Sequence, residues 1–113
     1  MTETPLTKIR DLHLDIESSE AETVFKALGN GLRLRILRLL AQDHLAVTDI
    51  VGKLDLPAST VNQHLRVLEE AGLIQTFLRP ASRGTEKVCA KVYQKLNCEL
   101  VPAPVRPERA VEV

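Results

Sequence analysis

The sequence predicts a mainly α-helical fold that ends in a small β-hairpin. Apolar residues make up 44% of the 113 residues but aromatic residues only 3%, so the core must be aliphatic, which favours packed helices over a β-sandwich. Apolar side chains recur at helical spacing through residues 20–71. Two strand-like runs follow, joined by a polar link, and they indicate a hairpin.

Residues 56–74 are the most informative stretch. Ser59 is expected to cap the start of a helix and Gly72 to end it. The apolar row that would face the core consists of Val61, Leu65 and Leu68. The opposite face carries neutral hydrogen-bonding groups and one cation: Thr60, Asn62, Gln63 and Arg66. Such groups can read base edges and grip a phosphate, so this face is typical of DNA recognition.

His64 lies at the flank of the core-facing row. The sequence fits two positions of the His64 side chain equally well: a hydrogen-bonded site within the protein, and a surface site in contact with a DNA phosphate.

The preceding segment predicts a second short helix. Thr48 is expected to cap it, and Ile50 and Leu54 lie four residues apart on one face. Residues 55–58 leave room for a tight turn only. Two short helices joined in this way over residues 48–71 indicate a helix-turn-helix.

The segments before this motif predict further helices. Residues 1–18 fit both a helix and a strand; the spacing of their apolar residues leads us to expect a helix and a possible dimerisation element. Ser19 and Glu22 suggest a capping box at the start of a helix over 20–28, whose apolar face is expected to consist of Ala21, Val24, Phe25 and Leu28. Another helix is expected over 32–41, with arginines on its outer face.

Residues 73–78 and 87–93 predict the two strands of the hairpin. The polar link between them contains Arg79 and Arg83, which suits a wing lying along the sugar-phosphate backbone or reaching a minor groove. Arg33, Arg38 and Lys53 are candidates for further backbone contacts. The prolines after residue 101 predict an extended tail, so the expected organisation is 1–18, a winged helix-turn-helix domain over 19–97, and a proline-rich tail over 98–113.

Charge and composition exclude several classes of protein. The net charge is zero, but residues 31–95 carry ten Lys or Arg against six Asp or Glu, which concentrates positive charge on the proposed DNA-binding part. No apolar run is long enough to span a membrane, and the first residues do not form a signal peptide. We therefore expect a cytoplasmic protein without membrane association. Catalytic motifs are absent, so an enzyme is not expected.

Three runs resemble the ArsR/SmtB family of winged helix-turn-helix repressors: FKALGN at 25–30, GLRLRILRLL at 31–40 and STVNQHLRVLEEAGLI at 59–74. The likeness covers roughly residues 20–97. It implies a homodimer bound to an imperfectly palindromic operator of double-stranded DNA. Such proteins usually pair through their first and last helices, but prolines replace the last helix here, so the N-terminal segment with Val24 and Leu28 would supply the interface.

The resemblance also directs attention to metal binding. The family often places a Cys-x-Cys pair on the first helix of the motif, but Ala46 and Thr48 stand at those positions, and the C-terminal region has no histidine. We expect neither metal site, and no cofactor. His13, which lies between Asp11 and Asp15, is a weaker candidate ligand.

The two cysteines leave room for redox sensing. Cys89 lies between Lys87 and Lys91, cations that would favour its thiolate, and Cys98 follows nine residues later. Two alternatives to a sequence-specific repressor remain open: a winged-helix module that binds proteins, and an architectural DNA binder with little sequence preference.

Overall fold

The computed structural model describes residues 10–100, which form four helices and five strands. The helices are α1 (Ser19–Leu28), α2 (Gly31–Leu40), α3 (Val47–Leu54) and α4 (Ala58–Glu70). The strands are β1 (Arg10–Asp15), β2 (Leu45–Ala46), β3 (Ile74–Pro80), β4 (Thr85–Lys91) and β5 (Tyr93–Glu99). The predicted winged helix-turn-helix is confirmed, but the β component is larger than the single hairpin expected.

The strands form two sheets. In the first, β4 lies between β2 and β3 with antiparallel pairing on both sides. In the second, β1 pairs with β5 in parallel, with Leu12 opposite Leu96 and Leu14 opposite Cys98. Both sheets pack on one aliphatic core, which includes residues from β1, all four helices and β4.

The expectation of a helix over residues 1–18 was wrong for the part that the structure describes. Residues 10–15 form β1, in which Leu12 and Leu14 are buried while His13 is exposed. This alternation matches the period of two that a half-buried strand requires. Residues 1–9 lie outside the described residues, as does the predicted tail beyond residue 100.

Strand β5 was not expected. Its polar residues Lys95, Asn97 and Glu99 are exposed, and the intervening Leu96 and Cys98 are half-buried. The strand directly follows β4 and runs parallel to β1, so the first and last strands of the described chain lie side by side.

The helix caps differ from three of the predictions. Ser18, rather than Ser19, caps α1, and its hydroxyl accepts a hydrogen bond from the backbone N–H of Ala21 at 3.2 Å. Helices α3 and α4 begin after Ala46 and Pro57, neither of which makes a side-chain cap bond, so Thr48 and Ser59 lie inside their helices. Here the backbone of the preceding turn starts the helix: the Pro57 carbonyl accepts from the Thr60 and Val61 N–H groups at 3.1 Å each.

Gly72 ends α4 as predicted. Its φ of 78° is the left-handed conformation, and the N–H groups of Gly72 and Leu73 donate to the carbonyls of Glu69 and Leu68. These two bonds are those of a Schellman motif. The motif turns the chain directly into β3, and therefore fixes where the wing begins relative to α4.

The structure also extends the hairpin beyond the predicted strands. Arg79 pairs with Glu86 and Pro80 with Thr85, which leaves a short tip between them. At this tip the N–H of Ala81 donates to the Gly84 carbonyl at 3.0 Å, and Gly84 has a φ of 69°. The wing is therefore an ordered hairpin for most of its length. Within residues 10–100, no helix is long and apolar enough to cross a membrane.

Candidate nucleic-acid interface

Helix α4 is held by one face and presents the other to solvent. Val61, Leu65 and Leu68 are buried on the inner face. On the outer face Ser59, Asn62, Gln63 and Arg66 are exposed, and Thr60 is half-buried. The polar row predicted from the helical spacing therefore lies on the solvent-facing side of α4, the second helix of the motif.

The members of this row differ in how much hydrogen-bonding capacity they keep. The Asn62 side-chain amide donates to the Ala58 carbonyl of its own helix at 2.9 Å. The side chains of Gln63 and Arg66 make no hydrogen bond or ion pair with any of the described residues. Gln63 retains both a donor and an acceptor, which is what a bidentate contact to a base requires.

The wing is attached to the end of α4. The Thr76 hydroxyl on β3 donates to a Glu69 carboxylate oxygen at 2.8 Å, in addition to the Schellman turn at Gly72. Arg79 is tied to Glu86 across the hairpin, with Nε 2.7 Å from the carboxylate oxygen. Arg83 is exposed at the tip. Of the two predicted wing arginines, Arg83 is thus the one whose charge has no carboxylate partner within residues 10–100.

Arg33 does not lie on the exposed surface predicted for it. Its Nε donates to the Ala27 carbonyl at 2.8 Å and one Nη to the Lys26 carbonyl at 3.1 Å, both at the C-terminal end of α1. The other Nη lies 3.1 Å from Nδ1 of His64. Cations are favoured at helix C-termini, where carbonyl groups lack partners. The guanidinium therefore connects α1 to α4. These contacts account for the position of the Arg33 side chain without a DNA phosphate.

The same contact decides between the two positions that fitted His64. Burial, followed by the positive charge of Arg33, lowers the pKa of His64 below its usual value. The ring is therefore neutral near pH 7, with Nδ1 accepting from the guanidinium. His64 is half-buried and hydrogen-bonded to Arg33, which favours the first of the two positions, a hydrogen-bonded site within the protein.

A cationic groove lies between α2 and α3. It has a volume of about 180 Å³ and is lined by Arg35, Arg38, Leu39, Lys53 and Leu54. None of its three cations forms an ion pair within the described part of the chain. Arg38 and Lys53 were predicted as backbone contacts, whereas Arg35 was missed, although its position on the outer face of α2 gave the same signal as Arg38.

The environment of Cys89 does not favour the thiolate that redox sensing at this residue would need. Both cysteines are unpaired thiols, Cys89 fully buried in the middle of β4 and Cys98 half-buried on β5 in the other sheet. Burial raises the pKa of Cys89 to about 11; Lys87 lowers it, Glu69 raises it further, and burial has the largest effect. The adjacent lysines therefore fail to offset the loss of solvent.

Metal binding has no support among residues 10–100, where no group of three or more His, Cys, Asp or Glu side chains could hold an ion. His13 instead lies 3.4 Å from the Asn97 amide on the neighbouring strand.

The fold and this surface define a winged helix-turn-helix protein with an exposed recognition helix and a basic wing tip. The chain belongs to the ArsR family of bacterial regulatory proteins, whose family model matches residues 30–76. The resemblance seen in the sequence is thereby confirmed. The members of this family are transcriptional regulators rather than enzymes.

Similar proteins extend the match over more of the chain. The biofilm growth-associated repressor of Agrobacterium fabrum is 34% identical over 82 residues, covering 67% of this chain and 70% of its own. The transcriptional activator HlyU of Vibrio cholerae is 35% identical over 92 residues, covering 76% and 85%.

Solved structures give the same picture. The V. cholerae HlyU structure superposes with a TM-score of 0.56 at 30% identity, covering 66% of this chain and 76% of that one. The homodimeric winged helix-turn-helix DNA-binding domain of Mycobacterium bovis superposes with a TM-score of 0.56 at 32% identity, covering 65% and 64%.

Proposed function

We propose that this protein is a sequence-specific DNA-binding repressor that acts as a homodimer on a palindromic operator. The observation that carries the proposal is the outer face of α4, where Gln63 and Arg66 are exposed and have no side-chain partner among residues 10–100, on a helix whose other face is buried. A helix presented in this way can enter a major groove. A protein that regulates chromosomal genes has to bind DNA inside the cell, which supports the cytoplasm as its location.

The proposal divides the surface into two roles. The hydroxyl and amide groups of Ser59, Thr60, Asn62 and Gln63, together with Arg66, read bases from α4. Arg83 on the wing tip and the groove cations Arg35, Arg38 and Lys53 contact phosphates. Arg79 contributes by holding the wing through Glu86, and Arg33 by holding α4 through His64.

A binding experiment tests this division. Fluorescence anisotropy is measured with the promoter region upstream of the protein's own gene and with random DNA of equal length. Gln63→Ala should reduce the preference for the promoter by about 1–3 kcal/mol, because a bidentate base contact is lost. Gln42→Ala, which removes an exposed glutamine outside the motif, is the matched control and should leave the preference unchanged.

Arg83→Ala should behave differently from Gln63→Ala. It should weaken promoter and random DNA alike and make the logarithmic salt dependence shallower by about one counterion. Equal losses from both variants without any change in salt dependence would contradict the proposed roles. Binding that competitor DNA abolishes would identify an architectural binder, and no DNA binding at all would favour a protein-interaction module.

Repression is the part of the proposal that similarity leaves open, because the relatives include both a repressor and an activator by name. A bound dimer blocks a promoter by occupying it. A reporter gene behind the protein's own promoter should therefore be more active when the protein is deleted. Lower activity after deletion would reverse the assignment to activation.

Part of the surface predicted for the dimer is buried within the monomer. Val24 is fully buried and cannot contact a second copy, and Leu12 and Leu14 belong to the monomer core, so removing residues 1–18 would damage the fold itself. Ile16 of the predicted segment is exposed and remains a candidate, and the exposed Phe25 on α1 and Leu34 on α2 are added to it. Sedimentation equilibrium should show a weaker dimer for Phe25→Glu, and a shortened chain lacking residues 1–9 tests the remaining part of the original prediction.

A further inference from the structure

A groove of about 280 Å³ opens where β5 passes over α2. Five leucines from different parts of the fold form its apolar lining: Leu12, Leu28, Leu37, Leu73 and Leu96. No residue of α3 or α4 contributes to it, so the groove is separate from the proposed DNA surface. Its volume lies close to the lower end of the range of small-molecule sites, roughly 300–1,000 Å³.

The charged residues that line the groove are both cationic. They are Lys91 and Lys95, and none of the lining residues within 10–100 is acidic. The Lys91 ammonium donates to the Ala41 carbonyl at 2.8 Å, which fixes this charge at the end of α2. The Arg10 guanidinium stacks over the ring of Tyr93, 5.6 Å from its centroid, and adds a third cation beside the groove.

The carboxylate of Asp11 lies beside the groove but is not part of its lining. Asp11 pairs in register with Lys95 and accepts a hydrogen bond from the Gln94 amide at 3.1 Å. Apolar walls with cations at the mouth are complementary to a molecule that has an apolar body and one anionic group.

From this arrangement we infer that the groove binds an amphipathic monocarboxylate, with its hydrocarbon part against the leucines and its carboxylate at Lys91 and Lys95. A second copy of the chain is a poorer occupant. A two-fold axis through the groove would bring each lysine close to its own counterpart, and like charges facing each other across an interface are unfavourable.

Tyr93 makes the site directly measurable. It is the only tyrosine in a chain without tryptophan, and it lines the groove, so the intrinsic fluorescence of the protein reports on this site. Decanoate is titrated into the full chain below its micelle concentration, with decanol as the neutral analogue. Decanoate should change the fluorescence saturably, at one molecule per chain, and decanol should bind about tenfold more weakly.

Two variants test where the carboxylate of decanoate binds. Lys95→Gln should weaken decanoate binding about three- to tenfold and leave decanol binding unchanged, because only the charged contact is removed. Lys87→Gln, which alters an exposed lysine on β4 outside the groove, is the matched control and should bind decanoate like the unmodified protein. Thermal unfolding of both variants shows that they are folded.

Three results would overturn the inference: no saturable fluorescence change, equal binding of decanoate and decanol, or equal weakening by Lys95→Gln and Lys87→Gln. Decanoate binding that appears only after residues 1–9 are removed would show that the chain's own start occupies the groove. Binding that appears only in the Phe25→Glu variant, with a weaker dimer, would show that a second copy does. No DNA is present in these titrations, so their outcome is independent of the proposed repression.

Discussion

Arg33 provides the sharpest test of the difference between a DNA contact and a structural contact. The sequence places it among the outward arginines of α2, whereas the structure uses three of its donors inside the protein. We consider Arg33→Met, which keeps most of the apolar part of the side chain and removes every side-chain hydrogen-bond donor. The expected result is a less stable protein whose phosphate contacts to DNA are unchanged.

The size of the stability loss follows from the three contacts. Hydrogen bonds to a charged group contribute about 1.5–3 kcal/mol each when water is excluded. Arg33 is only half-buried, so water replaces part of each bond in the variant, and the charge at a helix C-terminus adds about 0.3–1 kcal/mol. A net loss of about 2 kcal/mol is expected, which corresponds to a fall in Tm of roughly 8–15 °C for a domain of this size.

Two measurements decide the question. Thermal unfolding followed by circular dichroism gives the stability loss, and anisotropy below the lowered Tm gives the salt dependence of DNA binding. Arg35→Met is the control on the same helix: Arg35 is exposed, so its stability should change by less than about 0.5 kcal/mol. An Arg33→Met protein with unchanged Tm and a salt dependence shallower by about one counterion would refute the structural role and restore the phosphate contact.

Further predictions address the thiols, the histidine and the N-terminal strand. Cys98 should react with a thiol reagent at pH 8 in the folded protein. Cys89 should react only on unfolding, because its side chain is buried and its pKa is raised to about 11. Rapid modification of both cysteines would contradict the burial of Cys89. The pKa of His64 is lowered in the folded state, so the unfolded chain binds this proton more tightly. The contribution of His64 to folding stability is therefore complete above about pH 6.5 and is lost as the pH falls below that value. Denaturant titrations between pH 5 and pH 7 should show this loss, reduced in His64→Gln. Leu14→Ala should cost about 2–4 kcal/mol because β1 belongs to the core, and a loss below 1 kcal/mol would show that this strand is dispensable.

The helix-turn-helix was predictable because its signals are local. Val61, Leu65 and Leu68 repeat at the helical period, and Gly72 supplies the positive φ that ends α4. The exposed row on α4 follows automatically, since the residues between buried positions must face the other way. Only the first turn differed: the preceding backbone starts α4, and Ser59 has no capping role.

The second sheet was not predictable by the same means. Residues 10–15 fit two periodicities, and the choice between them depends on β5, which lies more than eighty residues away in sequence and pairs with β1 in parallel. Residues 94–97 were placed in the winged helix-turn-helix domain without an element of their own, and residues 98 and 99 in the proline-rich tail. Each strand needs the other as a hydrogen-bonding partner, so neither could be recognised alone.

Side-chain roles depended on tertiary contacts in the same way. Arg33 and Arg38 look alike in the sequence, five residues apart on one helix, yet only the first meets the carbonyl end of α1 and a histidine of α4. Cys89 has lysines on both sides along its strand, yet burial of the strand outweighs them. In both cases sequence gives the chemistry of the side chain, and the packing of neighbouring elements determines whether that chemistry is exposed.

The distribution of charge has a consequence for how specificity arises in this protein. The outer face of α4 carries one cation, Arg66, and further cations without an ion pair among residues 10–100 lie at the wing tip, in the groove between α2 and α3 and in the groove beside β5. Phosphate contacts do not distinguish sequences, so in the proposed division of roles the four cations assigned to phosphates contribute affinity for any DNA. Discrimination then comes from the amide and hydroxyl groups of α4, a helix that is held by contacts near its middle and at its C-terminal end. Arg33 holds the helix near His64, and Gly72 with Glu69 sets the wing against its last turn. These contacts connect α4 to α1 and to the wing, and we expect a change that removes either of them to reduce specificity more than affinity.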